Sequence, residues 1–179
     1  TSKSLLMSYE ALELCVKNFS DYVNSTDNPI AAQAMITASN LAGQAINITK
    51  TTSAHAWSYG LTKRYGVPHG HAVWATLPKI FEIHATSHAD LICDPRGPKN
   101  LATVIATLMD ILNISSKEDI GVHFTNMLAS IDIKADIAVD FRIPKKARLA
   151  LSSDVNQERM DNNPVMFRQS DIHKIFKLS

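Results

Sequence analysis

From residue 3 to residue 23 the apolar positions Leu5, Leu6, Tyr9, Leu12, Cys15, Val16 and Phe19 recur every three or four residues. That period lines one face of an α-helix. The stretch Ser25-Thr26-Asp27-Asn28-Pro29 breaks the pattern, and Pro29 suits the first turn of a second helix, where its missing N–H costs nothing. The second helix runs through IAAQAMITASNLAGQAINI and is rich in small residues: Ala31, Ala32, Ala34, Ala38, Ser39, Ala42, Gly43 and Ala45. Small residues let a neighbour approach closely, so this helix is expected to be central and buried. Thr and Ser at 49–53 offer N-caps for a third helix carrying His55, Trp57, Tyr59 and Leu61, which Gly66-Val67-Pro68 ends.

A fourth helix is expected from about Pro68 to His88. The segment DLICDPRGPKN (90–100) reads as a loop with turn chemistry at Pro95, Gly97 and Pro98. Helices are predicted near 100–113 and 116–131, the second opened by Ser115-Ser116 with Glu118 and Asp119 in its first turn. Residues 131–143 alternate apolar and polar and fit a strand or a loop equally. Pro144 opens a helix to about Ser153, and the tail reads as a turn and a short closing helix capped by Ser170-Asp171. The pattern predicts an all-α helical bundle, one domain over residues 1–179. It contains no βαβ alternation and no G-x-G-x-x-G, so nothing in it binds a dinucleotide by the usual Gly-rich turn.

Composition changes this picture little. A chain of 179 residues is long enough for one sizeable core. A formal net charge of +1, with no basic stripe, argues against nucleic acid as a partner. No apolar run approaches a membrane span, and Glu10 and Glu13 interrupt what would be the core of a signal peptide. The two cysteines, Cys15 and Cys93, form no CxxC pair and are in keeping with a reducing cytoplasm. The N-x-S/T triplets at Asn18, Asn24, Asn47 and Asn113 are then chance matches. Cys15, Trp57 and Trp74 read as core, the pair His84–His88 as a solvated helix face, and Lys63-Arg64 and Lys145-Lys146 with Arg148 as solvated charges.

The candidate chemistry lies in TTSAHAWSYGLTKRYGVPHGHAV (51–73), which holds three of the seven histidines: His55, His69 and His71. His55 and Tyr59 are four apart and share a helix face. His69 lies fourteen residues beyond His55; in one continuous helix the two are about 21 Å apart at ~1.5 Å per residue, too far for one metal. The break at Gly66-Val67-Pro68 allows the chain to turn back and unite them. Two imidazoles still fall short of the roughly three protein ligands of an open catalytic site. His71 points away from His69 once the helix has begun, and His84, His88, His123 and His173 lie elsewhere. The residues alone are equally compatible with a partial metal site and with ordinary core or surface histidines. Lys50, between Thr49 and Thr51-Thr52, reads either as helix-end chemistry or as part of an anion pocket at a helix N-terminus.

The stretch GQAINITKTTSAHAWSYGLTKRYGVPHGHAVWATLP closely resembles the C-terminal helical domain of the iron-containing (group III) alcohol dehydrogenases, a fold shared with dehydroquinate synthase. The matching features are His55-Ala56, Pro68-His69-Gly70, Ala72 and Leu77-Pro78. INITKTT, the GHAV after Pro68 and the later QERMDNNPV are similar to the branch acting on small phosphonate aldehydes and alcohols, such as phosphonoacetaldehyde reductase and hydroxyethylphosphonate dehydrogenase.

The resemblance implies one divalent metal, iron or sometimes zinc, held by an Asp and three His, with His55 and His69 as the last two ligands. It implies NAD or NADP as hydride carrier and a small aldehyde or alcohol as substrate. Tyr59 stands where many relatives carry a further His, and its hydroxyl is the candidate catalytic group, a hydrogen-bond donor in the pocket rather than a proton relay. Lys50, Thr51 and Thr52 are candidates to contact an anionic group of the substrate. The first two ligands and the nucleotide-binding domain are expected upstream of Thr1, so the chain is expected to be a fragment, inactive alone. A rival reading is a self-standing helical association module forming a homo-oligomer. Metal-dependent hydrolysis is weaker, since no carboxylate base or H-E-x-x-H accompanies the two His.

Overall fold

The computed structural model describes residues 1–25, 27–131 and 141–178. Helices α1 (Ser2–Asn24) and α2 (Pro29–Thr49) pack along each other. Asn28 caps α2 by accepting from the Ala31 N–H at 3.0 Å, and Pro29 takes the first helical position. The expectation of a central α2 fails. Only Ala31, Ala38 and Ala45 are buried along it. Those three lie seven residues apart, a narrow one-sided seam of the kind that joins two helices. Ile30 and Ile36 on its other faces are 77% and 64% exposed.

The central helix is α3 (Ser53–Tyr65), buried at Ser53, Ala54, Ala56, Trp57, Ser58, Gly60 and Leu61. Its predicted cap differs: Thr52 takes the N-cap position but makes no side-chain cap hydrogen bond. Gly66 ends α3 in the left-handed region at φ 66°, a conformation that costs glycine little. Val67, fully buried, pins the reversal that follows.

The fourth helix is two. Helix α4 (His69–Trp74) stops, and α5 (Leu77–Thr86) restarts after a turn. Pro78 lies four residues beyond Trp74, so it has no N–H to give the Trp74 carbonyl and its ring would crowd that carbonyl. His84 and His88 do not share a helix face, because α5 ends at Thr86. His84 is buried in α5 and His88 is exposed beyond its end.

After a 3₁₀ turn at Ala89–Leu91 come α6 (Pro98–Leu112), a second 3₁₀ turn at Lys117–Asp119, and α7 (Ile120–Ala129). The alternating stretch 131–143 falls mainly on 132–140, outside the described residues. Next are α8 (Lys145–Ser153), α9 (Gln157–Asp161), which the periodicity did not predict, and the closing α10 (Gln169–Ile175). Arg168, not Ser170, is the cap of α10; the Asp171 carboxylate accepts from the Arg168 backbone N–H at 2.9 Å.

Two apolar clusters hold the helices. One joins Ala54, Trp57 and Leu61 of α3 to Ile80 and Ile83 of α5, Leu151 of α8 and Phe176 at the end of the chain. The other joins Leu101, Ile105 and Leu108 of α6 to Ile120 and Phe124 of α7. Helix α8 lies so close to α3 that a Cβ added at Gly60 would stand 2.7 Å from Leu151 Cδ2. Gly60→Val is therefore expected to destabilise the fold by about 1–3 kcal/mol through overpacking, read as a fall in the denaturation midpoint. An unchanged midpoint would mean that α8 yields freely.

Candidate functional site

In α3 successive residues turn by about 100°, so Trp57 faces away from His55 and Tyr59. Trp57 enters the core; His55 is half-buried and Tyr59 exposed. The bend at Gly66–Pro68 then brings His69, the first residue of α4, back over this outer face. The His55 and His69 ring centroids are 5.5 Å apart with planes at 60°. Tyr59 lies against His69 at 5.7 Å between centroids. The bend inferred from sequence thus unites these three side chains.

The donor chemistry suits a divalent metal. Burial chiefly, then the nearby charges of His69 and Arg159, push the His55 imidazole below its ordinary value. It is therefore a neutral nitrogen donor near pH 7. Two imidazoles bound to one tetrahedral ion through bonds of about 2.0–2.1 Å place their centroids about 5 Å apart, close to the spacing seen. Among the described residues no group of three or more His, Cys, Asp or Glu is arranged to hold a metal, and two imidazoles alone fall short of a full ligand set. His71 is not beside them; its ring packs against Phe141 at 6.0 Å.

Lys50, Thr51 and Thr52 occupy the link between α2 and α3, next to this face. Lys50 has φ 65° and ψ −171°, a region nearly confined to glycine that costs about 1–3 kcal/mol. Asn162 holds the link in place: its Nδ2 donates to the Thr49 carbonyl at 2.9 Å and the Thr51 carbonyl at 3.1 Å. Thr51 is buried, and its Oγ1 accepts from Arg159 Nη1 at 2.5 Å. The same guanidinium lies 5.3 Å from the Tyr59 ring centroid, within cation–π range. Arg159 and Asn162 are the residues that reading the sequence missed as functional candidates. They belong to the QERMDNNPV segment, whose resemblance was visible, but their partners stand more than a hundred residues earlier.

The sequence profile of the Fe-containing alcohol dehydrogenase family, C-terminal part, matches residues 4–179. The chain belongs to this family. It is 31% identical over 108 residues to a phosphonoacetaldehyde reductase of Streptomyces viridochromogenes, a match covering 60% of this chain and 27% of that protein. Its fold matches an archaeal halo-thermophilic Red Sea brine pool alcohol dehydrogenase with a TM-score of 0.79 at 18% identity, over 98% of this chain and 47% of that one. It matches a 1,3-propanediol oxidoreductase with a TM-score of 0.72 at 21% identity, over 96% and 44%. These two likenesses establish the all-helical fold as that of the family's C-terminal domain. The chain spans less than half the length of each of these relatives. Among the described residues no helix is long and apolar enough to cross a membrane.

Proposed function

We propose that this iron-type alcohol dehydrogenase domain is the metal-binding half of an NAD(P)-linked enzyme interconverting a small aldehyde and its alcohol. The observation that carries the reading is the approach of His55 and His69 across the Gly66–Pro68 bend. His55 and His69 would hold iron or zinc, with the remaining ligands and the nucleotide-binding domain supplied from outside these 179 residues. When bound, such a metal polarises the substrate oxygen as a Lewis acid.

The chain's own residues do the rest. His55 presents a neutral nitrogen because its surroundings disfavour its protonated form. The exposed Tyr59 hydroxyl donates a hydrogen bond to a group in the pocket. Lys50 and Thr52 contact an anionic end of the substrate, and Thr51 acts through the guanidinium it receives. The likeness to a phosphonoacetaldehyde reductase supports a phosphonate as that anionic end.

The test measures metal content and NAD(P)H-linked aldehyde reduction in the protein with and without its preceding coding segment. Metal occupancy and turnover are expected only with that segment. His55→Ala and His69→Ala are each expected to lower metal affinity at least tenfold. Unchanged metal affinity in both variants, or robust turnover by the 179 residues alone, would reject the proposal.

The exposed Ile30, Ile36, Ile46 and Ile48 of α2 favour a second reading, a helical association module. A monodisperse oligomer indifferent to metal, seen by light scattering, in a protein without turnover would select it.

A further inference from the structure

Arg159 has a cation's full set of donors and few acceptors. Of its five N–H groups, the one on Nη1 that points to Thr51 Oγ1 is used. Its Nε is shielded from solvent and has no hydrogen-bond partner among the described residues. Three other arginines are each matched to a carboxylate: Arg64 to Asp154, Arg96 to Asp94 and Arg168 to Asp171. Among the described residues no carboxylate lies within ion-pair distance of Arg159 or Lys50. A guanidinium fixed in direction by a buried threonine, yet lacking an anion, is a fork without its counterpart.

Arg159 lines a cavity of about 300 Å³ together with Lys50, Glu158 and Asn162. Two cations against one carboxylate leave that space net positive. Lys50 is held on its rim by the backbone conformation that Asn162 pins through the Thr49 and Thr51 carbonyls. Tyr59 joins this space to the histidine pair, since its ring has the Arg159 guanidinium 5.3 Å from one side of the contact and the His69 ring at 5.7 Å.

We propose that Arg159, seconded by Lys50, is the specificity-determining anchor for the phosphonate group of a short aldehyde or alcohol whose oxygen is presented to the His55–His69 pair. This rests on the dehydrogenase reading for the pair, and adds to it the residue that selects a charged substrate over a neutral one. A tetrahedral oxyanion offers the two adjacent oxygens that a planar guanidinium takes together, with a further oxygen left for the Lys50 ammonium. Thr51 and Asn162 are positioning residues: the first aims the guanidinium and the second fixes the Lys50 turn.

The experiment compares kcat/KM for a two-carbon phosphonate aldehyde with that for its neutral carbon isostere, 3,3-dimethylbutanal, in the protein carrying its preceding coding segment, unaltered and as Arg159→Gln and Arg159→Lys. Arg159→Gln is expected to reduce the ratio at least tenfold, mainly through KM of the phosphonate substrate, and Arg159→Lys to give an intermediate ratio. An unchanged ratio overturns the proposal. In parallel, methylphosphonate and acetate are titrated against the unaltered protein while the Arg159 Nε–H resonance is followed by NMR. This measurement does not depend on turnover or on the variant folding. A saturable shift with methylphosphonate and a weaker one with acetate supports the anchor; no shift, or equal affinity for both anions, overturns it. Aldehyde turnover absent from every sample while methylphosphonate still binds at Arg159 would sink the dehydrogenase reading and leave the oxyanion anchor standing.

Discussion

Trp57→Ala is expected to destabilise the domain by about 3–5 kcal/mol, the usual range for emptying a buried aromatic site. Trp57 is 1% exposed. Its ring meets Phe176 edge-on at 5.2 Å and Phe167 at 5.4 Å, so truncation removes partners from two segments that arrive from the far end of the chain. Its Nε1 donates to the Ser152 carbonyl at 3.2 Å, and losing that donor leaves an acceptor near the core without it. The neighbours cannot close the gap cheaply, because α3 is already pressed against α8 at Gly60. Trp57→Phe keeps most of the apolar contact and is expected to cost less than half as much. The check is the midpoint of urea denaturation for both variants at constant slope. Equal, small losses would show that α3 is not the member on which the other helices converge. Trp57 and His55 occupy opposite faces of one helix, so Trp57→Ala is also expected to weaken the metal binding proposed for His55 and His69.

The parts of this structure legible in the sequence are those set by neighbours in the chain. The 3.6-residue period found α1 and α3, and Gly66-Val67-Pro68 announced a reversal because glycine and proline act on the backbone where they stand. That reversal allowed His55 and His69 to meet, and their rings do stand 5.5 Å apart. Pro78 carried an equally local signal, and the split between α4 and α5 follows from it; the apolar residues Ala72–Ala75 and Leu77 around the turn masked the break. What was not legible depends on distant partners. The small residues of α2 indicated a close neighbour but not how many, and a single seam of three alanines needs only α1. His84 looked like half of a surface pair, yet Phe167 covers it from more than eighty residues away. Arg159 owes its orientation to Thr51, 108 residues earlier, and no spacing rule connects them.

His84 supplies the other large effect, an acid-sensitive stability. Its ring stacks on Phe167 at 5.9 Å between centroids and meets Phe81 edge-on at 6.3 Å. Burial pushes the imidazole from its ordinary 6.5 down to about 4, and the Asn163 side chain, which favours the protonated ring as an acceptor, only partly opposes the shift. The unfolded chain therefore binds a proton between these values that the folded chain refuses. The stabilising contribution is complete above pH about 6.5 and is lost as pH falls through that value toward 4. Its total is about 3 kcal/mol at 1.36 kcal/mol per pH unit. The half-buried His55, also lowered, adds to the same window.

Two carboxylates act elsewhere. Arg96 holds Asp94 below the usual range, and at Asp171 burial pushes upward but the Arg168 hydrogen bonds and charge outweigh it. Their contributions fade only as pH falls below the ordinary carboxylate value of about 3.9. His84→Leu fills a similar volume without a titrating group. Denaturation midpoints taken between pH 7 and pH 4 should fall steeply in the parent protein and much less in His84→Leu. Below pH 4 the two curves should run parallel, since the carboxylates remain in both. Identical curves over the upper window would mean that the pocket between Phe81 and Phe167 accepts the imidazolium, through water or an opening of α10, and that burial of His84 carries no linkage to folding.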